Sequence, residues 1–129
     1  MSGLTFVLRP ESFCIHRLPA GTRVSLARLD AASWYSVTRT EEELSVVVPE
    51  DIDPGDGERE PGWSCLQIEG PLPFGTVGIL AGISNVLAQA NISIFTVSTY
   101  NTDHILVRRS DVERAVHALK VAGHRVTGG

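Results

Sequence analysis

Basic residues are scarce in this chain. Its 129 residues include 11 lysines and arginines against 15 acidic residues, for a net charge of −4. Proteins that bind nucleic acids need a basic face that neutralises phosphates, and the adjacent basic pair Arg108–Arg109 is more typical of a solvated strand end. The composition therefore predicts a protein with no nucleic-acid partner.

The chain also has few cysteines and no long hydrophobic run. Cys14 and Cys65 are isolated, with neither a CxxC motif nor a zinc-ligand spacing, as is typical of small buried side chains in a reducing compartment. No apolar run is long enough to span a membrane. The N-terminal sequence MSGLTFVLRPE lacks the basic segment and the continuous apolar run of a signal peptide. We therefore expect a cytoplasmic protein that has no membrane partner.

Motifs for catalysis, cofactor binding and metal binding are missing too. The segment GPLPFGT (70–76) has the outer glycines of a phosphate-binding loop but not its lysine. Ser98, Asp103 and His104 are the residue types of a hydrolase triad, but neighbours on a strand point in alternating directions and there is no GxSxG elbow. Metal-ligand spacing is also missing from the four histidines, His16, His104, His117 and His124. The sequence predicts no enzyme, no cofactor and no metal.

The chain is predicted to divide at residues 49–62, which read PEDIDPGDGEREPG and have the composition of a surface linker. An N-terminal lobe then covers 1–48 and a C-terminal domain covers 63–129. β-Branched and aromatic residues predict four strands in the first lobe, with at most a short helix between the second and third. These strands are 4–8, 12–18, 34–38 and 44–48.

The C-terminal domain has a clear alternation of elements. Apolar spacing predicts a helix over 77–90, with Gly75 and Thr76 as entry residues and Asn91 at its end. The sequence SDVE (110–113) predicts a capping box that opens a second helix. Strands are predicted at 63–69, 92–99, 104–109 and 124–127. The resulting fold class is α+β, with a ferredoxin-like βαββαβ order and helices on one face of the sheet.

Polar residues at one strand end suggest a binding site. The helix entrance, residues 74–78, and the polar end of the neighbouring strand can lie close together in this fold. Unpaired N–H groups at a helix start favour a carboxylate, and Asp103, with Thr99, Asn101 and Thr102 beside it, offers the opposite chemistry. Such a site suits the zwitterion of an amino acid. The alternative is that these residues only shape a hairpin.

The predicted helix 77–90 has a face of small, uncharged residues. Glycine inside a helix costs about 1 kcal/mol relative to alanine, so we expect another backbone or a ligand to approach this face. A homodimer would supply such a partner, although the face also fits a merely weak helix. Its residues are Gly78, Ala81, Gly82, Asn85, Ala88 and Gln89.

A weak internal repeat links the two halves of the chain. Four residues within 36–44 match four within 98–106 at one constant offset, which suggests two copies of one unit and makes Glu41 the counterpart of Asp103. The matched residues are Ser36, Thr40, Glu41 and Leu44 in the first copy, and Ser98, Thr102, Asp103 and Leu106 in the second.

Residues 70–107, GPLPFGTVGILAGISNVLAQANISIFTVSTYNTDHILV, together with the helix that follows, resemble an ACT domain of the type found in aspartate kinases and CASTOR-type arginine sensors. Residues 36–50, SVTRTEEELSVVVPE, resemble the preceding lobe. The resemblance implies a stand-alone tandem-ACT protein of two ACT-like lobes, with amino-acid binding at the interface between ACT units and no catalysis. It leaves open which amino acid binds, and whether the module instead serves only structure or a protein partner.

The resemblance also implies which residues would contact the ligand. In the arginine sensors, an aspartate at the position of Asp103 takes part in holding the positive groups of the ligand. Carried across by position, the full set is Phe74, Gly75, Thr76, Val77 and Gly78 in the helix entrance, Asn91, Ile92 and Ser93 after the helix, and Thr99, Tyr100, Asn101, Thr102, Asp103 and His104 at the strand end.

Overall fold

The structure, a computed structural model, describes residues 3–72 and 77–128. The chain forms two compact units: Met1–Pro10 with Ser64–Gly129, here called the C-terminal unit, and Glu11–Trp63, here called the middle unit. Among the described residues, none of the helices has the length and apolar character needed to cross a membrane.

The secondary structure alternates strands with three helices and one 3-10 turn in the described residues. In chain order the elements are β1 (Thr5–Leu8), β2 (Phe13–Leu18), α1 (Leu26–Leu29), β3 (Ser36–Arg39), β4 (Leu44–Pro49), β5 (Glu58–Ile68), α2 (Ile79–Gln89), β6 (Ile94–Ser98), β7 (Asp103–Arg108), the 3-10 turn (Arg109–Asp111), α3 (Val112–Val121) and β8 (Arg125–Gly128).

The C-terminal unit has the predicted ferredoxin-like order, since β5, α2, β6, β7, α3 and β8 follow one another as βαββαβ. Its strands lie in the order β6-β7-β5-β1-β8. The N-terminal strand β1 is thus inserted between the first and last strands of the βαββαβ set. Phe6 of β1 lies opposite Ile68 in an antiparallel pair and opposite Val126 in a parallel pair.

The position of β1 differs from the prediction, which placed residues 4–8 in the first lobe. A strand pattern identifies the strand but not its partners, which are chosen by burial against distant residues. Here Phe6 is fully buried in the core of the C-terminal unit. That core lies where α2 and α3 cover one face of the sheet, and its buried residues are Phe6, Leu66, Ile68, Ile79, Ile83, Leu87, Ile92, Ile105, Val107, Ala115 and Leu119.

Helix α2 follows its predicted pattern, with Ile79, Ile83 and Leu87 buried on one side. Asn91 directly follows its C-cap with a φ of 60°, the left-handed conformation that asparagine tolerates. The start differs from the prediction because Gly78 is the N-cap, with a φ of 84°, rather than an interior residue. The predicted entry residues Gly75 and Thr76 lie outside the described residues.

The predicted capping box at residues 110–113 is wrong. Ser110 lies in the 3-10 turn, and Asp111 takes the N-cap position of α3 without a side-chain cap bond. The carboxylate of Asp111 instead accepts a hydrogen bond of 2.7 Å from the guanidinium of Arg114. The tighter turn places Ser110 one residue too early to reach the free amides of the helix.

The middle unit has the strand order β3-β4-β2-β5, with antiparallel pairing throughout. Its strands β2, β3 and β4 agree with the prediction to within two residues at each end. Residues 11–63, all of which the structure describes, contain one α-helix, α1. The side chain of its N-cap residue Ser25 accepts a hydrogen bond from the amide of Arg28. One cluster of its core consists of Leu18, Leu29, Leu44, Val46 and Val48.

The predicted linker 49–62 is only partly irregular, because Pro49 ends β4 and Glu58 begins β5. Residues 58–61 are exposed, and their backbone pairs with β2, so hydrophobic periodicity gave no sign of a strand. The register shifts where β2 passes from Ile15 to Phe13, opposite Glu60 to Trp63. Such a bulge accommodates the Pro61–Gly62 pair that made the segment resemble a linker.

Candidate functional site

A cavity of about 410 Å³ lies in the C-terminal unit between the start of α2 and the β6–β7 hairpin. We call it the α2–hairpin cavity. It brings together the helix entrance and the polar strand end that the sequence placed in one site. The lining residues are Leu72, Gly78, Ile79, Leu80, Ala81, Ser98, Thr99, Tyr100, Asn101, Thr102 and Asp103.

The start of α2 forms one wall of the cavity. Gly78 adopts a left-handed φ of 84°, which other residues rarely adopt, and its carbonyl accepts the first helical bond from the amide of Gly82 at 2.9 Å. Among the described residues, no side chain caps this helix and its first turn carries no acidic residue. The first-turn N–H groups and the helix dipole therefore favour a carboxylate at this wall.

The β6–β7 hairpin forms the opposite wall. Ser98 pairs with Asp103 across the two strands, and its hydroxyl donates a hydrogen bond to the Asp103 carboxylate. The amide of Thr99 closes the turn by donating to the carbonyl of Thr102 at 2.8 Å. Asp103 is half-buried and is the one charged group among the described lining residues. This wall therefore favours a cation.

Six of the residues that the resemblance implies as ligand contacts line the cavity. They are Gly78, Thr99, Tyr100, Asn101, Thr102 and Asp103. Val77 precedes the cavity wall and is 92% exposed. Phe74, Gly75 and Thr76 lie outside the described residues.

Asn91, Ile92 and Ser93 lie at the other end of α2 from the cavity. The eleven residues of the helix separate the two ends by about 16 Å. Ile92 is buried in the core, whereas Asn91 and Ser93 are exposed. The structure of one chain does not bring these three residues to the cavity, because they follow the C-terminal end of α2 and the cavity lies at its N-terminal end.

His104 is also placed away from the cavity. It follows Asp103 on β7, and successive side chains on a strand point to opposite faces, so it is buried on the far side of the strand from Asp103. Burial lowers the pKa of His104, and the positive charge of Arg9 lowers it further. A buried, neutral imidazole on the opposite face does not contribute to the α2–hairpin cavity.

Sequence reasoning did not include Leu72, Ile79 or Leu80 in the site, although all three line the cavity. It placed Ser98 in the polar strand end, but the pairing of Ser98 with Asp103 is identifiable only from the four-residue turn between them. Leu72 enters the site because its amide donates to the carbonyl of Asn101 at 2.6 Å. A hydrogen bond between backbone groups does not depend on the type of side chain, so the sequence does not predict it.

Comparison with known proteins assigns the chain to a family. The ACT domain family model matches residues 58–121. A cytosolic arginine sensor for mTORC1, subunit 1, from Pongo abelii is 29% identical over 119 residues, which cover 84% of this chain and 35% of that protein. The chain thus spans about a third of the length of this curated relative.

Solved structures agree with this assignment. A crystal structure of a protein from Agobacterium tumefaciens is 36% identical, with a TM-score of 0.89, and the match covers 100% of this chain and 96% of that one. Clostridium acetobutylicum aspartate kinase has a TM-score of 0.72 at 15% identity, covering 95% of this chain and 35% of the kinase, so this likeness concerns the fold alone. The chain therefore contains an ACT domain, which the family model places at residues 58–121.

Proposed function

We propose that this chain is a non-catalytic regulatory module that binds a free amino acid in the α2–hairpin cavity. One observation carries the proposal: the start of α2, which no side chain of the described residues caps, and the Asp103 carboxylate face each other across a cavity of about 410 Å³. An amino acid has one group for each wall. The Asp103 carboxylate receives the ammonium or a cationic side chain, and the first-turn amides of α2 receive the carboxylate.

The known relatives support this function. The Pongo abelii relative is described as an arginine sensor, and the Clostridium acetobutylicum kinase is described as an allosteric enzyme. L-arginine is therefore the first ligand to test. Its guanidinium is a second positive group, and Asp103, the one charged residue in the described lining of the cavity, is acidic.

We further propose that two ACT units share the ligand, in a cytoplasmic homodimer. Ala81, Asn85, Ala88 and Gln89 leave an exposed, uncharged face on α2 that a second copy would cover. Asn91 and Ser93, which lie far from the cavity of their own chain, would reach the cavity of a second copy. Sedimentation velocity over a concentration series tests this arrangement, and a strict monomer in the presence of ligand contradicts it.

A thermal-shift screen of the twenty common amino acids, followed by calorimetric titration, tests the proposed function. A ligand that binds only the folded state raises Tm by mass action. N-acetyl-L-arginine, which lacks the ammonium, and agmatine, which lacks the carboxylate, are matched controls for L-arginine, and each should bind more weakly. If no amino acid raises Tm at millimolar concentration, the amino-acid function is wrong.

The second candidate function is a protein-interaction module without a small ligand. Val77 and Tyr100 favour it, because they are 92% and 79% exposed beside the cavity, where a protein partner could bury them. The same screen separates the two functions, since an interaction module shows no amino-acid shift.

A further inference from the structure

The segment that leaves β5 is joined to the β6–β7 hairpin by two hydrogen bonds. The hydroxyl of Thr102 donates to the carbonyl of Ile68 at 2.7 Å, and the amide of Leu72 donates to the carbonyl of Asn101 at 2.6 Å. Ile68 ends β5, whereas Leu72 lines the α2–hairpin cavity. The two bonds therefore connect the β6–β7 hairpin, which forms one cavity wall, to the segment of Leu72, which also lines the cavity.

Gly70 lies between these two bonds and permits the close approach. A Cβ atom added there would lie 3.0 Å from the carbonyl oxygen of Asn101 and 3.1 Å from Cβ of Thr102. Both distances are shorter than ordinary van der Waals contact, so a larger residue would push the hairpin away from the segment. The spacing depends on glycine at this position.

Thr102 has little capacity left for a ligand. Only 6% of the residue is exposed, and its hydroxyl proton is given to the carbonyl of Ile68, in a fully buried residue. Removal of the hydroxyl would leave that carbonyl without this donor, and a buried carbonyl without a partner is costly. The side chain is therefore arranged to hold the hairpin rather than to contact a bound molecule.

We propose that Thr102 is a positioning residue, which fixes the hairpin against the segment 68–72 and thereby sets the width of the α2–hairpin cavity. Loss of the Thr102 hydroxyl would loosen the Leu72–Asn101 bond and move the Asp103 carboxylate relative to the start of α2. The ligand-binding part of this inference rests on the proposed function, whereas the bond network itself does not.

Two measurements on the Thr102→Val variant test this proposal: hydrogen exchange of the Leu72 amide by NMR, and the Kd for L-arginine by calorimetry. Valine keeps the shape of threonine but not its donor. We expect Leu72 to exchange about tenfold faster and L-arginine to bind about tenfold more weakly. Thr102→Ser, which keeps the hydroxyl, should restore both values.

The matched control is Thr96→Val, at an exposed position on β6 that is not one of the lining residues of the cavity. It should change neither value. Gly70→Ala provides a second variant if Thr102→Val does not fold, and it should speed exchange at Leu72 by displacing the hairpin.

The outcomes separate this inference from the proposed function. Weaker L-arginine binding with unchanged Leu72 exchange would make Thr102 a direct ligand contact and overturn the positioning role. Unchanged exchange in both Thr102→Val and Gly70→Ala overturns it as well. If wild-type protein binds no L-arginine, that result counts against the proposed function, and Leu72 exchange alone then decides the positioning role.

Discussion

The two units contain the same hairpin turn, and only one of the two turns borders the α2–hairpin cavity. In the β3–β4 hairpin the amide of Thr40 donates to the carbonyl of Glu43 at 2.9 Å. In the β6–β7 hairpin the amide of Thr99 donates to the carbonyl of Thr102 at 2.8 Å. Each turn has four residues between its paired strand ends. Turn chemistry is therefore common to both units and does not by itself make a site.

The difference lies in the residue that follows each turn. Leu44 begins β4 and is buried in the core of the middle unit, whereas Asp103 begins β7 and lines the cavity. The fourth turn residue differs too, since Glu43 is half-exposed while Thr102 is buried and bonded to Ile68. One copy of the turn supports packing, and the other supports a polar cavity.

This structural match also corrects the internal repeat read from the sequence. The turns align Thr40 with Thr99 and Leu44 with Asp103, so Glu41 is not the counterpart of Asp103. Ser36 begins β3 whereas Ser98 ends β6, which shows that the sequence matches join non-equivalent positions. Short polar matches arise by chance, because turn residues are drawn from a small set.

The largest expected effect is a loss of stability when Leu44, which begins β4, is replaced by aspartate, the residue that begins β7. Leu44→Asp places a carboxylate at a position that is 1% exposed, among aliphatic side chains. We expect the free energy of unfolding to fall by about 3–5 kcal/mol, because a buried charge without a partner is strongly destabilising. Both tryptophans, Trp34 and Trp63, lie in the middle unit, so urea unfolding followed by tryptophan fluorescence reports this loss.

The control for this substitution is Leu44→Met, which keeps the side chain apolar at a similar volume and should cost less than about 1.5 kcal/mol. Equal stability of Leu44→Asp and wild type would mean that the first residue of β4 can be an aspartate, like the first residue of β7. That result would contradict the difference drawn between the two hairpins.

The next effect concerns affinity rather than stability. Asp103→Asn keeps the shape of the residue and the cross-strand pair but removes the charge, so L-arginine should bind about ten- to a hundredfold more weakly, or about 1.5–3 kcal/mol. Glu41→Gln, in the exposed turn of the other hairpin, is the control and should leave Kd unchanged. Titration calorimetry measures both, and an unaltered Kd in Asp103→Asn would remove the carboxylate from the site.

A third prediction uses pH to test the buried histidine of the middle unit. His16 is buried in the middle unit, and burial lowers its pKa from 6.5, as does the charge of Arg59. The unfolded chain therefore takes up a proton at higher pH than the folded chain does. Stability from this group is complete above about pH 6.5 and falls as the pH drops, by up to about 1.4 kcal/mol per pH unit.

Urea unfolding at several pH values, followed by tryptophan fluorescence, tests this dependence. His16→Phe should flatten the acid side of the profile, whereas His117→Gln, at an exposed position on α3, should not. A profile that is the same in His16→Phe and wild type would assign the acid sensitivity to other groups.

The smallest expected effect is on stability, and it concerns the threonine that begins the turn in both hairpins. Thr40→Val and Thr99→Val each remove a hydroxyl that bonds within its turn, and each should lower the free energy of unfolding by about 0.5–1 kcal/mol. Chemical denaturation of the two variants side by side gives the comparison. A much larger loss in one of them would show that the turns are not equivalent in stability.

Much of the fold could be predicted because it depends on local periodicity. The spacing of Ile79, Ile83 and Leu87 predicts α2, and the β-branched run 44–48 predicts β4. The site could be predicted only as a region, since the helix entrance and the polar strand end follow from βαββ order. Its internal bonds, such as Ser98 to Asp103, depend on a cross-strand register that the sequence leaves open.

What could not be predicted depends on long-range backbone contacts. Gly57 resembled a solvated linker residue, yet a Cβ there would lie 2.3 Å from the carbonyl oxygen of Arg17. The exposed start of β5 pairs through its backbone, and Gly70 owes its importance to the hairpin. Contacts of this kind are made by peptide groups that every residue has, so residue types carry no record of them.

The insertion of β1 between β5 and β8 has a consequence for biosynthesis. Thr5 leaves the ribosome well before Arg125, which lies opposite it in the finished sheet. During translation β1 must wait for β5 as its first partner, and the sheet of the C-terminal unit is completed only after β8 has emerged. Pairing at such sequence separation slows folding and prolongs the exposure of unpaired strand edges. A fragment of residues 63–129 would lack the strand between β5 and β8, and we expect it to aggregate until a peptide of residues 3–10 is supplied in trans.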